Sequence, residues 1–517
     1  MYLRFLSVLV LFTLCNVLNA QSISIIAQTG DQVPDQDGLF ENLSAPLLGD
    51  SGRISFFSSV DGDKGPYDGL FVFDAGLNRT VARQDAIAPG TTAEYFTFPF
   101  SSRGVNDQGN LVFRSNLTGG DSSQGVFVGN GLGTIPVAVQ GDVSPAGPLF
   151  FNFGTPSINQ KNQIAFEGCL TMSLYFFDPG NAVVEVLTAG DSTPAGGQFE
   201  LFGRPLLNEQ NQMAFFANAN LPQATGIFLA TMDSVIAVAT EQQSVPAANA
   251  TFDSVTQFPN LNDVGDVVFQ ADLTDGTTGV YLFDGAEVIQ VVRSGQSLPD
   301  GDGVFGSFDN SNLPIVNNQG QVVVQCDVLG TSVPNDGGIF IFQDGAVVDS
   351  IRVGTAVDSG VISLLDDIAT NDKGQVAFSA EVEAGLPEPL DAIFLLSPRL
   401  GLVEVIRESD VLLQSEIDSL SFPSGMLHNG DEKSGFNNFG QISFNVELVD
   451  TREAIAVWTP PVLLGDVNRD CAVNLLDIGL FVALIQNSEF DSAADINGDG
   501  VVSLLDVGPF VDLLTGQ

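Results

Sequence analysis

The sequence is poor in the side chains on which most enzymes depend. Among its 517 residues there are one histidine, one tryptophan, four cysteines and only 17 lysines and arginines. A Ser-His-Asp or Cys-His catalytic arrangement would have to be built around His428 alone, and a histidine-based zinc site needs more histidines than the chain has. We therefore predict no catalytic residue, and paired carboxylates are the one route to catalysis left open.

Positive charge is scarce throughout the chain. The 63 acidic residues outnumber the basic ones and give a formal net charge of -46. Nucleic acids and anionic membranes are bound by basic surfaces, so we expect no nucleic-acid partner and no membrane insertion. A low content of charged residues overall, 15%, together with 44% hydrophobic residues argues against a disordered chain.

Long apolar runs are limited to the N-terminus. Arg4 is followed by an apolar stretch from Phe5 to about Leu18, which is shorter than the roughly 20 residues of a membrane span. This pattern predicts a signal peptide at residues 1–20 and a protein that is secreted, extracellular or attached to the cell surface. A lipoprotein anchored through Cys15 is the alternative interpretation.

Cysteine is too rare for a disulfide framework. After the predicted signal peptide only Cys169, Cys326 and Cys471 are present. We interpret Cys169 and Cys326 as small buried residues, and whether they pair is left open.

One pattern recurs through the body of the chain. It begins with Asn, continues through two variable residues and often Gly, and ends in an apolar–x–Phe strand. Seven copies start at Asn106, Asn159, Asn208, Asn262, Asn317, Asn371 and Asn437, and a degenerate copy starts at Gly49. Successive copies start 49 to 66 residues apart, and a period near 50 is typical of propellers and solenoids.

Each copy is accompanied by further strands. A second strand such as "GLFVFD", a third such as "VARQDAIAPG" and a short segment before the Asn bring the total to four strands in about 54 residues, the size of a propeller blade. The eighth copy lacks its third strand, and a matching one, Ser24–Pro34, stands near the N-terminus. We predict a mainly β fold: an eight-bladed β-propeller at residues 21–458, closed by the N-terminal strand. An open solenoid or two smaller propellers are the alternatives.

Three residue patterns in this body have structural interpretations, and one of them also has an alternative. The phenylalanines are interpreted as core residues, and the Asn-x-x-Gly segment as a turn in which both Asn and Gly tolerate a positive φ. The acidic turns "PDQDG" at Pro34 and "PDGDG" at Pro299 are turns or, alternatively, weak calcium sites. A pair of carboxylates in the propeller channel would suit a glycoside hydrolase.

The composition changes after residue 458, and two similar segments follow a predicted linker at residues 459–464. "DVNRDCAVNLLDIGLFVALI" starts at Asp466 and "DINGDGVVSLLDVGPFVDLL" at Asp495, 29 residues later. Each opens with a twelve-residue loop whose positions 1, 3, 5, 7, 9 and 12 offer oxygen ligands to a hard cation. The candidate calcium ligands are Asp466, Asn468, Asp470, Ala472, Asn474 and Asp477 in the first loop, and Asp495, Asn497, Asp499, Val501, Ser503 and Asp506 in the second.

A helix is predicted after each loop. Its apolar positions are spaced i, i+3, i+4, i+7 and are Ile478, Phe481, Val482 and Ile485 in the first copy, and Val507, Phe510, Val511 and Leu514 in the second. Two loops in register, each with an exiting helix, resemble the type I dockerin, a duplicated EF-hand-like calcium module, over residues 465–517. Cys471 departs from the pattern because it stands where a glycine normally makes the sharp turn; Gly500 obeys it.

The dockerin resemblance implies two Ca²⁺ ions and a cohesin-like partner. Loop positions 10 and 11, which help to select the cohesin in dockerins, are Leu475-Leu476 and Leu504-Leu505, and they are the predicted partner-binding residues; packing beneath the helices is the alternative. Propeller and tail together resemble secreted repeat proteins of planctomycete-type bacteria. We predict a non-catalytic binding or scaffold protein, with a polysaccharide-degrading enzyme as the alternative. The ligand of the propeller is left open, and a polysaccharide is one possibility. A further alternative is that the dockerin binds to its own propeller and caps it.

Overall fold

The fold is described from a computed structural model. The description covers residues 22–35, 37–99, 103–145, 147–168, 172–246, 249–308, 313–333, 336–424, 434–461, 464–467, 473–487, 491, 493–497 and 501–515. The predicted signal peptide, His428, Cys169 and Cys471 lie outside these ranges. Within them the chain divides into a compact unit Ser24–Val457 and a second that contains the segment from Trp458 onward.

The strands of the described residues form eight antiparallel sheets, numbered here in chain order. Sheet 1 contains Leu39–Leu43, Leu47–Leu48, Ile54–Asp61, Tyr67–Asp74 and Leu77–Arg83. Sheet 2 contains Glu94–Thr97, Arg103–Val105, Leu111–Thr118, Gln124–Gly129 and Thr134–Val139. Sheet 3 contains Ser157–Ile158, Ile164–Gly168, Ser173–Phe177 and Val184–Thr188. Sheet 4 contains Phe199–Phe202, Leu206–Leu207, Met213–Ala219, Gly226–Ala230 and Val235–Thr240, with a 3-10 turn at Pro222–Ala224.

The second half of the ring repeats this order. Sheet 5 contains Phe252–Val255, Asn260–Leu261, Val267–Leu273, Thr278–Phe283 and Val288–Arg293. Sheet 6 contains Val304–Phe305, Ile315–Val316, Val322–Leu329, Gly337–Gln343 and Ala346–Arg352. Sheet 7 contains Ala356–Val357, Gly360–Thr370, Val376–Glu383, Leu390–Ser397 and Gly401–Arg407. Sheet 8 contains Val411–Leu412, Ser415–Ser421, Ile442–Leu448, Glu453–Thr459 and Ser22–Gln28. The predicted mainly β, eight-bladed propeller is confirmed.

The N-terminal strand closes the ring as predicted. Ser22–Gln28 pairs with Glu453–Thr459 as the outer strand of sheet 8. Beyond the strand, the Thr29 N–H donates to the Glu453 carbonyl at 2.9 Å, and the Glu453 N–H donates to the Thr29 hydroxyl at 3.0 Å. Sheet 8 therefore contains strands from both ends of the propeller chain. This pairing closes the ring, so the series of sheets has no open end.

Aromatic side chains fill the sheets in a repeated arrangement. In sheet 1, Phe56 stacks on Phe71 with ring centroids 5.5 Å apart, and Phe40 of the innermost strand meets Phe71 edge-on at 5.0 Å. The stacked pair that joins the strand next to the innermost one with its outer neighbour recurs as Phe113–Phe127, Phe166–Tyr175, Phe215–Phe228, Phe269–Tyr281 and Phe378–Phe394. These rings are buried, which confirms the core interpretation of the phenylalanines on these strands; each contributes roughly 1.5–3 kcal/mol.

The Gly-x-aromatic motif, which is Gly69-Leu70-Phe71 in sheet 1, follows from this packing. The Phe71 ring folds back over Gly69, so that a Cβ at Gly69 would lie 2.7 Å from a ring carbon. Gly125 and Gly338 are covered in the same way by the rings two residues later. Glycine leaves room for the ring at these three positions, whereas Ser173 and Ala392 stand at the equivalent positions of sheets 3 and 7.

Neighbouring sheets are joined by a ring of buried asparagines, the first residues of the repeat. Each Asn side-chain amide donates to the backbone carbonyl of the equivalent residue in the next sheet, at 2.8 to 3.3 Å. The donors are Asn106, Asn159, Asn208, Asn262, Asn317, Asn371 and Asn437, and the last of them reaches Gly49 of sheet 1. Gly49 has no side chain to continue the ring, and Arg53 instead donates to the Asp107 carbonyl at 3.4 Å.

The turn at each Asn is built differently from the prediction. The fourth residue adopts a positive φ, as in Gly109 at 72° or Asn162 at 61°, but no first-position Asn does. The Asn106 side-chain oxygen instead accepts the N–H groups of Gln108 and Asn110, at 3.1 and 3.0 Å. Asn is thus needed for its hydrogen bonds rather than for its backbone freedom.

Cys326 is buried with a free thiol in the described structure. Burial, with a smaller contribution from Asp327, raises the pKa of this thiol to about 12. It is therefore protonated at neutral pH and acts as a small apolar residue, as interpreted from the sequence.

In the C-terminal segment, the residues that the structure describes form two helices, α1 at Asp477–Asn487 and α2 at Val507–Thr515. Phe481 and Phe510 stack with ring centroids 4.2 Å apart and form the centre of a small apolar cluster with Leu484 and Val502. Among the described residues no helix combines the length and apolar character that crossing a membrane requires.

Candidate functional site

The second C-terminal loop is organised by the carboxylate of Asp506. One oxygen accepts the N–H groups of Ile496 and Asn497, at 2.9 and 3.1 Å, and the other accepts the N–H of Ser503 at 2.9 Å. The side chain is fully buried at the start of α2. The carboxylate therefore connects the beginning of the loop to its end.

The first loop repeats this geometry 29 residues earlier. The fully buried Asp477 carboxylate accepts the Asn474 N–H at 2.8 Å, as Asp506 accepts that of Ser503. The Asn474 side-chain oxygen accepts the Leu476 N–H at 2.8 Å, and the Ser503 hydroxyl accepts the Leu505 N–H at 3.1 Å. The two loops share one local design.

The donor set of these loops suits a hard divalent cation. Of the predicted ligands, the structure describes Asp466, Asn474, Asp477, Asp495, Asn497, Val501, Ser503 and Asp506, while Asn468, Asp470, Ala472 and Asp499 lie outside the described residues. Asp466, Asp477 and Asp506 are buried, and buried carboxylates are stable when they are paired or bind a metal. The described part of the chain contains no cluster of three or more His, Cys, Asp or Glu placed to hold a metal, since one acidic ligand of each loop lies outside it.

Two apolar stripes lie exposed beside the loops. Each runs at helical spacing i, i+3, i+7, and the positions of the second are 29 residues after those of the first. The first consists of Leu475, Ile478 and Val482, exposed by 77, 38 and 43%, and the second of Leu504, Val507 and Val511, exposed by 78, 37 and 48%. Leu476 and Leu505 are also exposed, by 70 and 71%.

The exposure of the leucines contradicts the alternative that they pack beneath the helices. The sequence also misplaced four helix positions, because it assigned Ile478, Val482, Val507 and Val511 to the apolar face along with the two phenylalanines. The buried side of α1 is formed by Phe481 and Leu484 instead. When a helix is apolar on most of its sides, its sequence does not indicate which of those sides is buried.

The propeller contains a second candidate, a closed ring of polar residues at the positions that follow the repeat asparagines. Each backbone N–H donates to the side-chain oxygen of the next residue, over 2.5 to 3.1 Å, through all eight sheets. The members, which line a common pocket, are Asp50, Asp107, Gln160, Glu209, Asp263, Asn318, Asp372 and Asn438. Five of the eight are acidic.

Amide side chains relieve part of the repulsion in this polar ring. Asn318 donates to Asp263 at 2.9 Å and to Asp372 at 3.1 Å, and Asn438 donates to Asp372 at 3.1 Å and to Asp50 at 2.9 Å. Where no amide intervenes, burial and the nearby Asp263 raise the pKa of Glu209. The sequence signal for this ring was the polar residue after the Asn in every copy, and the prediction overlooked it.

The two acidic turns considered as calcium sites are occupied by arginines. Asp37 of "PDQDG" bonds to the Arg83 guanidinium at 2.9 Å. Asp300 and Asp302 of "PDGDG" lie 3.1 and 3.7 Å from Arg352. Ion pairing accounts for these carboxylates.

Comparison with known proteins places the chain in a family. The model described as "Family of unknown function (DUF7453)" matches residues 15–358 and 335–462. The chain belongs to this family. Within this DUF7453 protein, residues 464–508 match the model of the dockerin type I domain, as the sequence motifs suggested. Dockerin type I domains bind calcium and assemble with cohesin partners, and they occur on extracellular proteins.

No curated protein matches the chain of this DUF7453 member. Similar solved structures include prolyl oligopeptidase B from Galerina marginata, at 11% identity and a TM-score of 0.40, covering 79% of this chain and 55% of that one. Sqt1 of Saccharomyces cerevisiae has 10% identity and a TM-score of 0.37, covering 82 and 99%. The WD40 domain of SCAP from fission yeast has 7% identity and a TM-score of 0.35, covering 86 and 98%. The chain spans about half the length of the Galerina protein, and the propeller assignment rests on the sheet topology alone.

Proposed function

We propose that this protein is secreted through the signal peptide at residues 1–20 and acts as a non-catalytic binding or scaffold protein. Its dockerin, residues 465–517, binds two Ca²⁺ ions and attaches the propeller to a cohesin-like domain in an extracellular or cell-surface assembly. The observation that carries this proposal is the duplicated exposed stripe that includes Leu475 and Leu504. An apolar surface repeated at the same loop and helix positions needs a covering partner.

Calcium is proposed to stabilise the dockerin. The segment is too small to be stabilised by its core alone, and at free Ca²⁺ one hundredfold above the dissociation constant each site adds about 2.7 kcal/mol to the stability. The loop residues hold the ion through carboxylate, amide, hydroxyl and carbonyl oxygens, and the Asp477 and Asp506 carboxylates fix each loop against its helix.

Calorimetry of the full chain tests the calcium proposal. We expect uptake of about two ions per chain, falling to about one in Asp506→Ala and unchanged in Asp253→Ala, an exposed acid of the propeller. Uptake that is absent at low salt, or equal in all three proteins, would contradict the assignment.

Pull-down with a panel of cohesin domains tests the partner. Leu475→Ser/Leu504→Ser should abolish capture in the presence of Ca²⁺, and chelation should abolish it for the native chain. Leu132→Ser, which removes an equally exposed leucine of the propeller, serves as the control. Capture that survives both the double substitution and chelation would refute the docking proposal.

A second candidate function, glycoside hydrolysis, has one observation in its favour. Asp367 on the innermost strand of sheet 7 is half-buried beside Asp366, and burial raises its pKa to about 6, which suits a general acid. The polar-ring carboxylates, by contrast, all accept backbone N–H groups. Release of reducing ends from soluble polysaccharides by the full chain, lost in Asp367→Asn, would support an enzyme; no release from any would leave the binding protein as the function.

A further inference from the structure

The innermost strand of each sheet starts with the same three-position set, which allows the eight sheets to be compared. In sheets 1, 2, 4 and 5 a turn residue forms an isolated bridge with a residue that enters the strand, and two residues later the strand bulges. Sheets 3 and 6 form the same bridge, and in sheets 7 and 8 a pair of two-residue strand segments replaces it ahead of the same bulge. In sheet 4 this set is Ser192, Gln198 and Glu200, and the register shift between Phe199 and Leu201 marks the bulge. Sheet 5 has Ser244, Thr251 and Asp253 at these positions.

Sheets 2 and 3 depart from this polar pattern side by side. Their sets are Ile87, Glu94 and Phe96, and Val143, Leu149 and Phe151. Phe151 follows the buried Phe150, which exchanges backbone hydrogen bonds with Asp142 and Gly141 as Phe199 does with Asp191 and Gly190. The five apolar members form what we name the apolar patch; Ile87, Phe96, Val143, Leu149 and Phe151 are exposed by 67, 50, 70, 56 and 54%.

Sheets 4 and 5 show that the fold does not need apolar residues at these positions, and sheets 1, 7 and 8 each carry one exposed large apolar residue there, Leu39, Val361 and Val411. Sheets 4 and 5 form the same bridges and bulges with serine, glutamine, threonine and acids. Five large apolar side chains kept in water at adjacent positions of two neighbouring sheets are therefore a cost to solubility that a partner would remove. The patch lies near the start of the innermost strands, whereas the polar ring follows their ends, so the two are separated by the length of these strands.

Acidic residues surround the apolar patch. Glu94 lies within it, and Glu41 and Glu200 occupy the bulge positions of the sheets on either side. All three are exposed. With a chain charge of -46, the partner that fits is apolar and positively charged, and a second copy of this chain would be repelled. Three of the five members, Ile87, Val143 and Leu149, are aliphatic and offer no flat platform for a sugar ring, so only Phe96 and Phe151 could stack on one; the aliphatic majority favours a protein segment.

We propose that the apolar patch binds a basic, apolar segment of another protein, independently of the dockerin. Aliphatic and aromatic side chains of that segment cover the patch, and its lysines or arginines face Glu41, Glu94 and Glu200. The propeller would then join one partner through this surface and another through the C-terminal module.

Fluorescence anisotropy with the full chain tests the proposal. The probe is a fluorescein-labelled peptide of alternating lysine and leucine; matched peptides carry serine or glutamate in place of lysine. We expect the lysine peptide to bind, and Phe96→Ser/Phe151→Ser to weaken it about tenfold or more, because two ring contacts are lost. Leu39→Ser/Val411→Ser, at equivalent positions of sheets 1 and 8, should change it by less than about twofold.

Further experiments distinguish between the possible ligands of the apolar patch, and between this proposal and the proposed binding of a cohesin by the dockerin. Ile87→Ser/Val143→Ser repeats the test should the first variant not fold, and Glu41→Gln/Glu200→Gln should weaken the dependence on salt. Binding should be unchanged by chelation of Ca²⁺, unlike cohesin capture. Equal peptide binding by the Phe96/Phe151 and Leu39/Val411 variants would overturn the proposal. So would cellohexaose binding, or self-association in sedimentation, that only the patch variant loses.

Discussion

Replacing Asn317 by alanine tests whether the buried asparagines hold neighbouring sheets together. The side-chain amide of Asn317 donates to the Asn371 carbonyl at 2.8 Å and to the Gln321 side chain at 2.9 Å. Its oxygen accepts the N–H groups of Gln319 and Gln321, at 3.0 and 2.9 Å. Alanine removes all four bonds at a site that is only 5% exposed.

The expected loss of stability follows from these four bonds. A net contribution of about 1 kcal/mol each, with buried partners left unsatisfied, gives a loss of about 3–4 kcal/mol. The propeller unit has roughly 430 residues, and at about 2.1 cal/mol/K per residue its melting temperature would fall by about 3–4 °C. Differential scanning calorimetry of the full chain measures this shift.

Two further variants identify which bonds matter. Asn220→Ala removes an exposed asparagine that accepts one N–H, from Gln198 at 2.9 Å, and should cost about 1 kcal/mol or less. Asn317→Asp keeps the acceptor for the turn and loses the donor to the next sheet. If the link between sheets dominates, this variant melts as low as Asn317→Ala; if Asn317→Ala melts no lower than Asn220→Ala, the reasoning is refuted.

Three other outcomes are expected. Deletion of Ser24–Pro34 should lower the melting temperature of the whole propeller in one transition, and an unchanged transition would contradict closure by that strand. The folded-state pKa of Asp367, about 6, exceeds its unfolded value, so the stability from its protonated form is complete below about pH 4 and lost as the pH rises through 6. Asp367→Asn should therefore stabilise by about 1–2 kcal/mol at pH 7.5 and not at pH 4, and equal melting shifts at both would disprove the assignment. Arg352→Met should lower the free energy of unfolding in urea by about 3 kcal/mol, because the fully buried side chain of Asp336 loses its ion pair. The equivalent Arg407→Met, whose ion-pair contacts are 3.5 Å or longer, should lower it by under about 1 kcal/mol. Similar losses in the two variants would refute this distinction.

The architecture was predictable because the residue types of the repeat have few alternative structural roles. Asn at intervals of 49 to 66 residues, Gly two residues before an aromatic in five of the copies and a displaced N-terminal strand indicated the eight sheets and their closure. The reason for the Asn was not predictable: a turn residue and an inter-sheet donor look the same in sequence. The contact between Asn106 and the Asn159 carbonyl exists only once the two sheets are side by side.

The C-terminal module shows the same limit on a smaller scale. Ligand spacing located both loops, because the positions that bind a cation are set by the loop itself. The side of α1 that is buried depends on where α2 lies, so the exposure of Ile478 and Val482 was hidden in the sequence. The polar ring was overlooked because its members are chemically different, Asp, Glu, Asn and Gln, and share only a side-chain oxygen that accepts the neighbour's N–H.

The acidic residues of the propeller can be divided by what the fold already demands of them. Asp50, Asp107 and Asp263 are held by backbone donors in the polar ring, and Asp37 and Asp336 by arginines. Removing any of these would cost stability whatever the protein binds. Glu41 and Glu200, which flank the apolar patch, occupy the bulge position at which Ser363 stands in sheet 7. The fold therefore does not require a glutamate there. A loss of binding caused by substituting those glutamates, with an unchanged melting temperature, would therefore report on recognition rather than on folding.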